Sequence, residues 1–335
     1  MLNSCNPPFF IFGAQKSGTT LLTTLLTQNE GIRIATDSVF INIFISWIFD
    51  KAVELSINGN PDNIYVHGGN IRIDVLDQTP SYDDVKWLVS QMYHRYFTTS
   101  TQRLQKLISM NKDINRESFI RSEELIPFEH GQTLDPCELF FLAKSGTKWS
   151  DIFNNVIMQI GDKASNNEAI NQNIIYGEKT PGHIRYTSFI NKAYPDAKFI
   201  FLLRNPIANI ASYYKRDNSG FGVGHKHNFL EALKTFESYI IPFINHYKEQ
   251  PERFHIIKYE DLVANPSETI EKVSHILGKT YKPINRTLSP TVKQSYVGNH
   301  IDLERASSAY NILSIEQEAI IKERFGYIFS TFYKF

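Results

Sequence analysis

The residues that could do most chemistry stand at Gly13-Ala-Gln-Lys-Ser-Gly-Thr-Thr20, between a short apolar run, Phe9-Phe-Ile-Phe12, and helix-like spacing from Thr19 through Leu26. A Gly-rich turn that feeds a helix aims backbone N–H groups and the positive end of the helix dipole at an anion. Lys16 adds a point charge, and Ser17, Thr19 and Thr20 add hydroxyl donors. The plain alternative is an ordinary strand-to-helix turn with a solvated lysine. Glycines, lysine and hydroxyls together in this context favour a phosphate cradle. The spacing is nearly that of a Walker A loop, Gly-four residues-Gly-Lys-Ser/Thr. Here, however, Thr19 stands directly after the second Gly, and the lysine lies inside the loop. The dinucleotide fingerprint is excluded because its third Gly is missing.

Gln15-Lys-Ser-Gly-Thr-Thr20 resembles the 5′-phosphosulfate loop of the sulfotransferases, which use 3′-phosphoadenosine 5′-phosphosulfate, PAPS. A second family signature is a strand, then Arg-x-Pro, then Ser eight residues after the Arg. The chain has Leu203-Arg204-Asn205-Pro206 with Ser212 at that spacing. The resemblance implies that Arg204 and Ser212 bind the 3′-phosphate. Physical logic agrees: Arg204 ends a strand, Ser212 lies about two turns into the next helix, and both can reach one anion at the carboxyl edge of the sheet. Many members carry a second Arg five residues after the first, and here that position is Asn209. Tyr176-Gly-Glu-Lys-Thr-Pro181 looks like a Glu-Lys-Thr-Pro segment of bacterial and carbohydrate members. Ile257-Lys-Tyr-Glu-Asp-Leu262, with Pro266 and Leu277-Gly278 after it, looks like their late Tyr-Glu-Asp-Leu element. The resemblance runs from Phe9 to Gly278.

Sulfuryl transfer needs positioning, neutralisation of charge on the leaving oxygen, and a base for the acceptor proton. By the resemblance, Gln15, Lys16, Ser17, Gly18, Thr19 and Thr20 hold the donor, and Lys16 stabilises the bridging oxygen. No metal is implied, and no ligand cluster for one is evident. The histidine that follows Lys-Thr in small-molecule members is replaced by Pro181, although His183 lies near. Other members place a Glu after a short second strand, and Asp37 stands at that place. Asp37 is the first candidate for the base, with His183 and Glu178 behind it. A carboxylate at a helix start is its structural alternative. Lys179 is assigned to the sulfate or the acceptor. Tyr259 and Glu260 read as supports of the fold. His225 and His227 read as lid or surface residues, and Lys293 and Ser295 fall where relatives close a loop over the 3′-phosphate.

Elements must position these groups. Strands are expected at Phe9–Phe12, Ile32–Ala35, Ile174–Tyr176, Lys198–Leu203 and Phe254–Tyr259. Helices are expected from Ser38 to about Ile57, over 82–110, from Trp149 to Ile160, after a turn at Pro181-Gly182 to about Ala193, from Pro206, from Phe229 to Tyr247 with a bend at Pro242, from Ser267 to Leu277, and from about Ser314 to Phe325. Residues 58–80 read as loop, 111–148 give weak signals, and 165–173 and 218–224 read as loop and flexible segment. Strands alternating with helices imply an α/β fold, with a parallel sheet covered by helices on both faces. The expected organisation is one sulfotransferase domain over 1–335, of P-loop-like fold, with a helical or irregular insertion at about 58–173.

Composition narrows the function. Of the 335 residues, 42% are apolar, which is enough for a sizeable core. Lys plus Arg and Asp plus Glu both number 35, so nucleic acid is not expected as a partner. Two cysteines, Cys5 and Cys137, fit a reducing compartment. No signal peptide or membrane span is read, so a cytoplasmic enzyme without a membrane partner is expected. The expected substrate pair is PAPS and a small-molecule acceptor with a hydroxyl or an amine or carbamoyl nitrogen. Zero net charge disfavours a long anionic polysaccharide as acceptor, and with no anchor read a secondary-metabolite tailoring step is expected. The Asn- and Ile-rich composition fits an AT-rich bacterial genome, and the sulfotransferases of saxitoxin biosynthesis are examples of such a tailoring step. Two other readings compete: a P-loop-type nucleotide-dependent kinase, and a non-catalytic nucleotide-binding protein on the same fold.

Overall fold

The computed structural model describes residues 7–29, 31–36, 44, 66–67, 70–71, 78–81, 84, 148–165, 174–214, 228–281 and 312–333. The helices expected over Ser38–Ile57 and 82–110, the segments 111–147 and 218–224, Asp37, His225, His227, Lys293 and Ser295 lie outside the described residues, Phe44 and Asp84 apart. The fold is a five-stranded parallel sheet with flanking helices. The chain gathers into two compact units, one of residues 9–32 and 196–335 and one of residues 1–8 and 33–195.

In the first unit, β1 (Phe9–Gly13), β6 (Phe199–Leu203) and β7 (Phe254–Lys258) run parallel. Phe10 pairs with Phe199 and Phe199 with Phe254. The Phe199 and Phe254 rings stack at 4.4 Å, and the Phe10 and Phe199 rings at 5.6 Å. Every residue of β1 and β6 is buried, which is why both strands read as unbroken apolar runs. Each ring removed from water contributes about 1.5–3 kcal/mol. After β1 comes α1 (Thr19–Leu26), and after β6 comes α4 (Pro206–Tyr214). The helix α5 (Phe229–Glu249) opens on a capping box of Asn228 and Glu231, and it continues through Pro242 as one element. It packs on α4 and β7. Beyond β7 come α6 (Tyr259–Ala264) and α7 (Pro266–Ile276), then α8 (Ile315–Arg324) and α9 (Gly326–Phe332). Ser314 and Gln317 form the capping box of α8. The strand expected to reach Tyr259 therefore stops at Lys258, and α9 extends the helical tail beyond the expected Phe325.

The second unit holds β2 (Ile32–Thr36), a short hairpin of β3 (Val66–His67) and β4 (Asn70–Ile71), α2 (Trp149–Ser165), β5 (Ile175–Lys179) and α3 (Thr187–Ala193). The hairpin falls in the segment expected to be loop, pairing Val66 with Ile71 and His67 with Asn70. Phe44, Trp149 and Phe153 make an aromatic core, with the Phe44 and Phe153 rings edge to face at 4.3 Å. Strand β5 was expected to end at Tyr176 but continues to Lys179. Its Glu178 and Lys179 are buried, so the polar letters that mark a surface end in sequence lie inside the protein. The turn expected at Pro181-Gly182 is a 3₁₀ turn that runs on to Tyr186, and α3 follows it to Ala193 as expected.

Candidate active site

The loop from Gly13 to Thr20 is built on two glycines. A Cβ on Gly13 would stand 2.4 Å from Ser17 Oγ and 3.0 Å from the Leu202 carbonyl of the neighbouring strand. Gly18 has φ +94°, and a Cβ there would stand 2.5 Å from the Tyr259 ring. Glycine is the residue that tolerates both demands. Lys16 also adopts a left-handed backbone, φ 69°, and its side chain is exposed. The Ser17 N–H donates to the Ala14 carbonyl at 3.0 Å, closing the turn. Gly18 caps α1 with no side-chain hydrogen bond, and the first turn of the helix carries no acidic residue. The buried Ser17 Oγ makes no hydrogen bond among the described residues. An uncapped helix start with an orphaned buried hydroxyl suits an incoming anion.

Arg204, at the end of β6, comes to this loop. Its Nη1 donates to the Lys16 carbonyl at 3.0 Å, and its guanidinium lies 4.8 Å from the centre of the Tyr259 ring. The same ring sets the limit on Gly18. Tyr259 thus packs against the loop and carries the arginine. Asn205 caps α4, its Oδ1 accepting from the Ile207 N–H at 3.0 Å. The Asn205 N–H donates to Glu260 Oε1 at 2.9 Å. Ser212 lies half-buried further along α4, and Asn209 is buried with an Nδ2 that has no hydrogen-bond partner among the described residues. Gln15 Nε2 donates to the Tyr239 hydroxyl at 3.3 Å. Thr19 is buried and Thr20 half-buried in the first turn of α1.

In the other unit, Glu178, Lys179, Thr180 and His183 are all buried. The 3₁₀ turn folds His183 back over the end of β5, and its Nδ1 lies 2.9 Å from Glu178 Oε2. The Thr180 hydroxyl donates to the other oxygen, Glu178 Oε1. Burial pushes the Tyr194 hydroxyl far above its usual range, and the Glu178 carboxylate adds to the shift. Arg33 on β2 pairs with Asp162 of α2, which also accepts from the Tyr176 hydroxyl at 2.9 Å. Burial first, then the hydrogen bond to Asp162, raises Tyr176 to about 12.

The sequence marks the loop by its spacing, and Arg204 and Ser212 by the family resemblance. The roles of Tyr259 and Glu260 around Arg204 were legible only as general support. The part of Tyr333, whose hydroxyl donates to Glu260 Oε2 at 3.0 Å, was not legible at all. Glu260 and Tyr333 are 73 positions apart, and no local pattern joins them.

Among the described residues, no helix is long and apolar enough to cross a membrane. Among curated proteins, the chain is similar to the omega-hydroxy-beta-dihydromenaquinone-9 sulfotransferase Stf3 of Mycobacterium tuberculosis and of Mycobacterium bovis. Each is 21% identical over 342 residues, covering 96% of this chain and 74% of the relative. Among solved structures, the sulfotransferase domain of the Synechococcus PCC 7002 olefin synthase aligns with a TM-score of 0.46 and 15% identity, covering 97% of both chains. The sulfotransferase domain from the curacin biosynthetic pathway aligns with a TM-score of 0.49 and 14% identity, covering 96% of this chain and 99% of the other. Residues 7–283 match the model of the sulfotransferase family. That match takes in the anion loop, the Arg204 turn and the buried Glu178 pair, and with most of its length inside it the chain belongs to the sulfotransferase family and transfers sulfuryl groups.

Proposed function

We propose that the protein moves a sulfuryl group from PAPS to a hydroxyl or to an amine or carbamoyl nitrogen of a small-molecule acceptor in bacterial secondary metabolism. The observation that carries the donor assignment is the tie between Arg204 Nη1 and the Lys16 carbonyl, which joins two anion-binding elements within one unit. The orphaned Ser17 Oγ and the uncapped start of α1 fit a phosphate at the loop. When bound, PAPS supplies the sulfuryl group and a phosphate leaving group. Residues 15–20 hold the 5′ end. Arg204 and Ser212 hold the 3′-phosphate, with the buried Asn209 amide standing where many relatives carry a second arginine.

Lys16 neutralises charge that grows on the leaving oxygen. Asp37 takes the acceptor proton. His183, fully buried with its Nδ1 on Glu178, is better suited to holding the end of β5, and with it Lys179, than to meeting an acceptor. The named acceptor of the mycobacterial relatives is a hydroxylated menaquinone, which supports oxygen rather than nitrogen as the sulfated atom.

Thermal denaturation with two nucleotides tests the donor. 3′-Phosphoadenosine 5′-phosphate, PAP, is expected to raise Tm, because a ligand of the folded state alone stabilises by about 2.7 kcal/mol at a hundredfold excess over Kd. AMP, which lacks the 3′-phosphate, is expected to raise it far less. Equal shifts would sink the 3′-phosphate assignment, and turnover of ATP with Mg²⁺ would favour a kinase.

A further inference from the structure

Glu260 is a branch point. Its Oε1 accepts from the Asn205 N–H at 2.9 Å, and its Oε2 accepts from the Tyr333 hydroxyl at 3.0 Å. The same hydroxyl lies 3.4 Å from the carbonyl oxygen of Leu203. Tyr333 therefore touches the backbone just before Arg204, and Glu260 touches the backbone just after it. The arginine side chain is itself held from two sides, by the Lys16 carbonyl and the Tyr259 ring. Tyr333 follows α9, and the aromatic contact between Phe329 and Tyr333, 6.2 Å between centroids, ties it to that helix. Lys258 lies 6.0 Å from the centre of the Tyr333 ring on the strand side. All of these residues belong to one unit.

Backbone groups at the carboxyl end of a strand set where the next side chain points. A peptide at such an end has no further strand partner, so a carboxylate that accepts its N–H fixes the peptide plane. A hydroxyl donated to that carboxylate removes its freedom to rotate away. We infer that Tyr333, acting through Glu260, is a positioning residue for the PAPS-binding Arg204: the tail helices α8 and α9 hold the donor-binding turn in its working shape. This rests on the donor reading given above and adds to it a segment beyond the matched residues 7–283.

A merely structural role predicts lost stability and unchanged kinetics. A positioning role predicts a selective loss of donor affinity. The test compares the full chain with Tyr333→Phe and Glu260→Gln, measuring PAP binding by calorimetry, Tm, and kcat and KM for PAPS. Tyr333→Phe keeps the ring and removes only the donated hydrogen bond. It is expected to weaken PAP binding and raise KM for PAPS by about tenfold, with kcat at saturating donor within about twofold of the parent. Glu260→Gln keeps the shape but loses the charge, and is expected to fall in the same direction. The double variant is expected to lose less than the product of the two single effects, because both remove one linkage. Parent-like PAP affinity in a folded Tyr333→Phe protein overturns the inference, as does a drop in Tm with KM unchanged. If the parent itself binds no PAP, the donor reading fails and takes this inference with it. Parent binding with an indifferent Tyr333→Phe overturns the positioning role alone.

Discussion

Lys16 and Arg204 meet through a carbonyl, yet their tasks differ. A charge at the reacting centre matters most as the transition state develops, whereas a charge on a remote phosphate acts equally in ground and transition states. Lys16→Ala is therefore expected to lower kcat strongly. Arg204→Ala is expected chiefly to raise KM for PAPS, and Asp37→Asn to cut kcat by about 10²–10⁴-fold with nucleotide affinity kept. Steady-state kinetics on the three variants separates these cases, and a fully active Asp37→Asn enzyme would remove Asp37 as the base. At this scale the sequence showed a great deal. The sequence marked the loop by its spacing after a buried strand, and it marked Arg204 and Ser212 through the family resemblance. It could not show that Tyr259 serves both Gly18 and Arg204, since a ring wedged between two distant segments leaves no periodic mark.

Among the elements, β5 and the 3₁₀ turn after it depend on one buried carboxylate. Glu178 accepts from the Thr180 hydroxyl and faces His183 Nδ1, so removing it takes one buried hydrogen bond from each. At about 0.5–1.5 kcal/mol for each of the two lost hydrogen bonds, Glu178→Ala is expected to lose about 1–3 kcal/mol. Chemical denaturation measures this, and a variant as stable as its parent would show that the network carries little. Strands β1 and β6 were readable because continuous apolar runs between turn residues have few other uses. The end of β5 was not, because burial of Glu178 and Lys179 depends on partners brought by the 3₁₀ turn. Likewise α9 escaped notice, its seven residues being too short to show a helical period.

For the whole molecule, acid response follows from two histidines on or against β7. His246 stacks on Phe254 at 5.1 Å; burial lowers its pKa below 6.5, Glu249 opposing and Arg253 adding. His255 is lowered by burial and then by Lys198, with Lys272 adding and Glu252 opposing. In both, the unfolded chain takes up protons first as pH falls. Their stabilising contribution is complete above pH 6.5 and is lost as pH falls from 6.5 towards the depressed folded values. Urea unfolding is expected to show lower stability at pH 5.5 than at pH 7.5. The double variant His246→Gln/His255→Gln is expected to flatten that difference, and an undiminished slope would place its origin elsewhere. The parallel sheet was legible from strand–helix alternation.

The left-handed backbone of Lys16 sets activity against thermal resistance. A side-chain-bearing residue in that region costs roughly 1–2 kcal/mol, and glycine gives back roughly 0.5–1 kcal/mol of that through its freer unfolded chain. Lys16→Gly is thus expected to match or exceed the parent in Tm while losing turnover, which melting curves and an activity assay on one preparation would establish. A lower Tm would show that the loop is relaxed around lysine. A library screened for heat resistance alone would then drift towards glycine at this position and collect robust, silent proteins, so directed evolution of this enzyme has to score product and melting together.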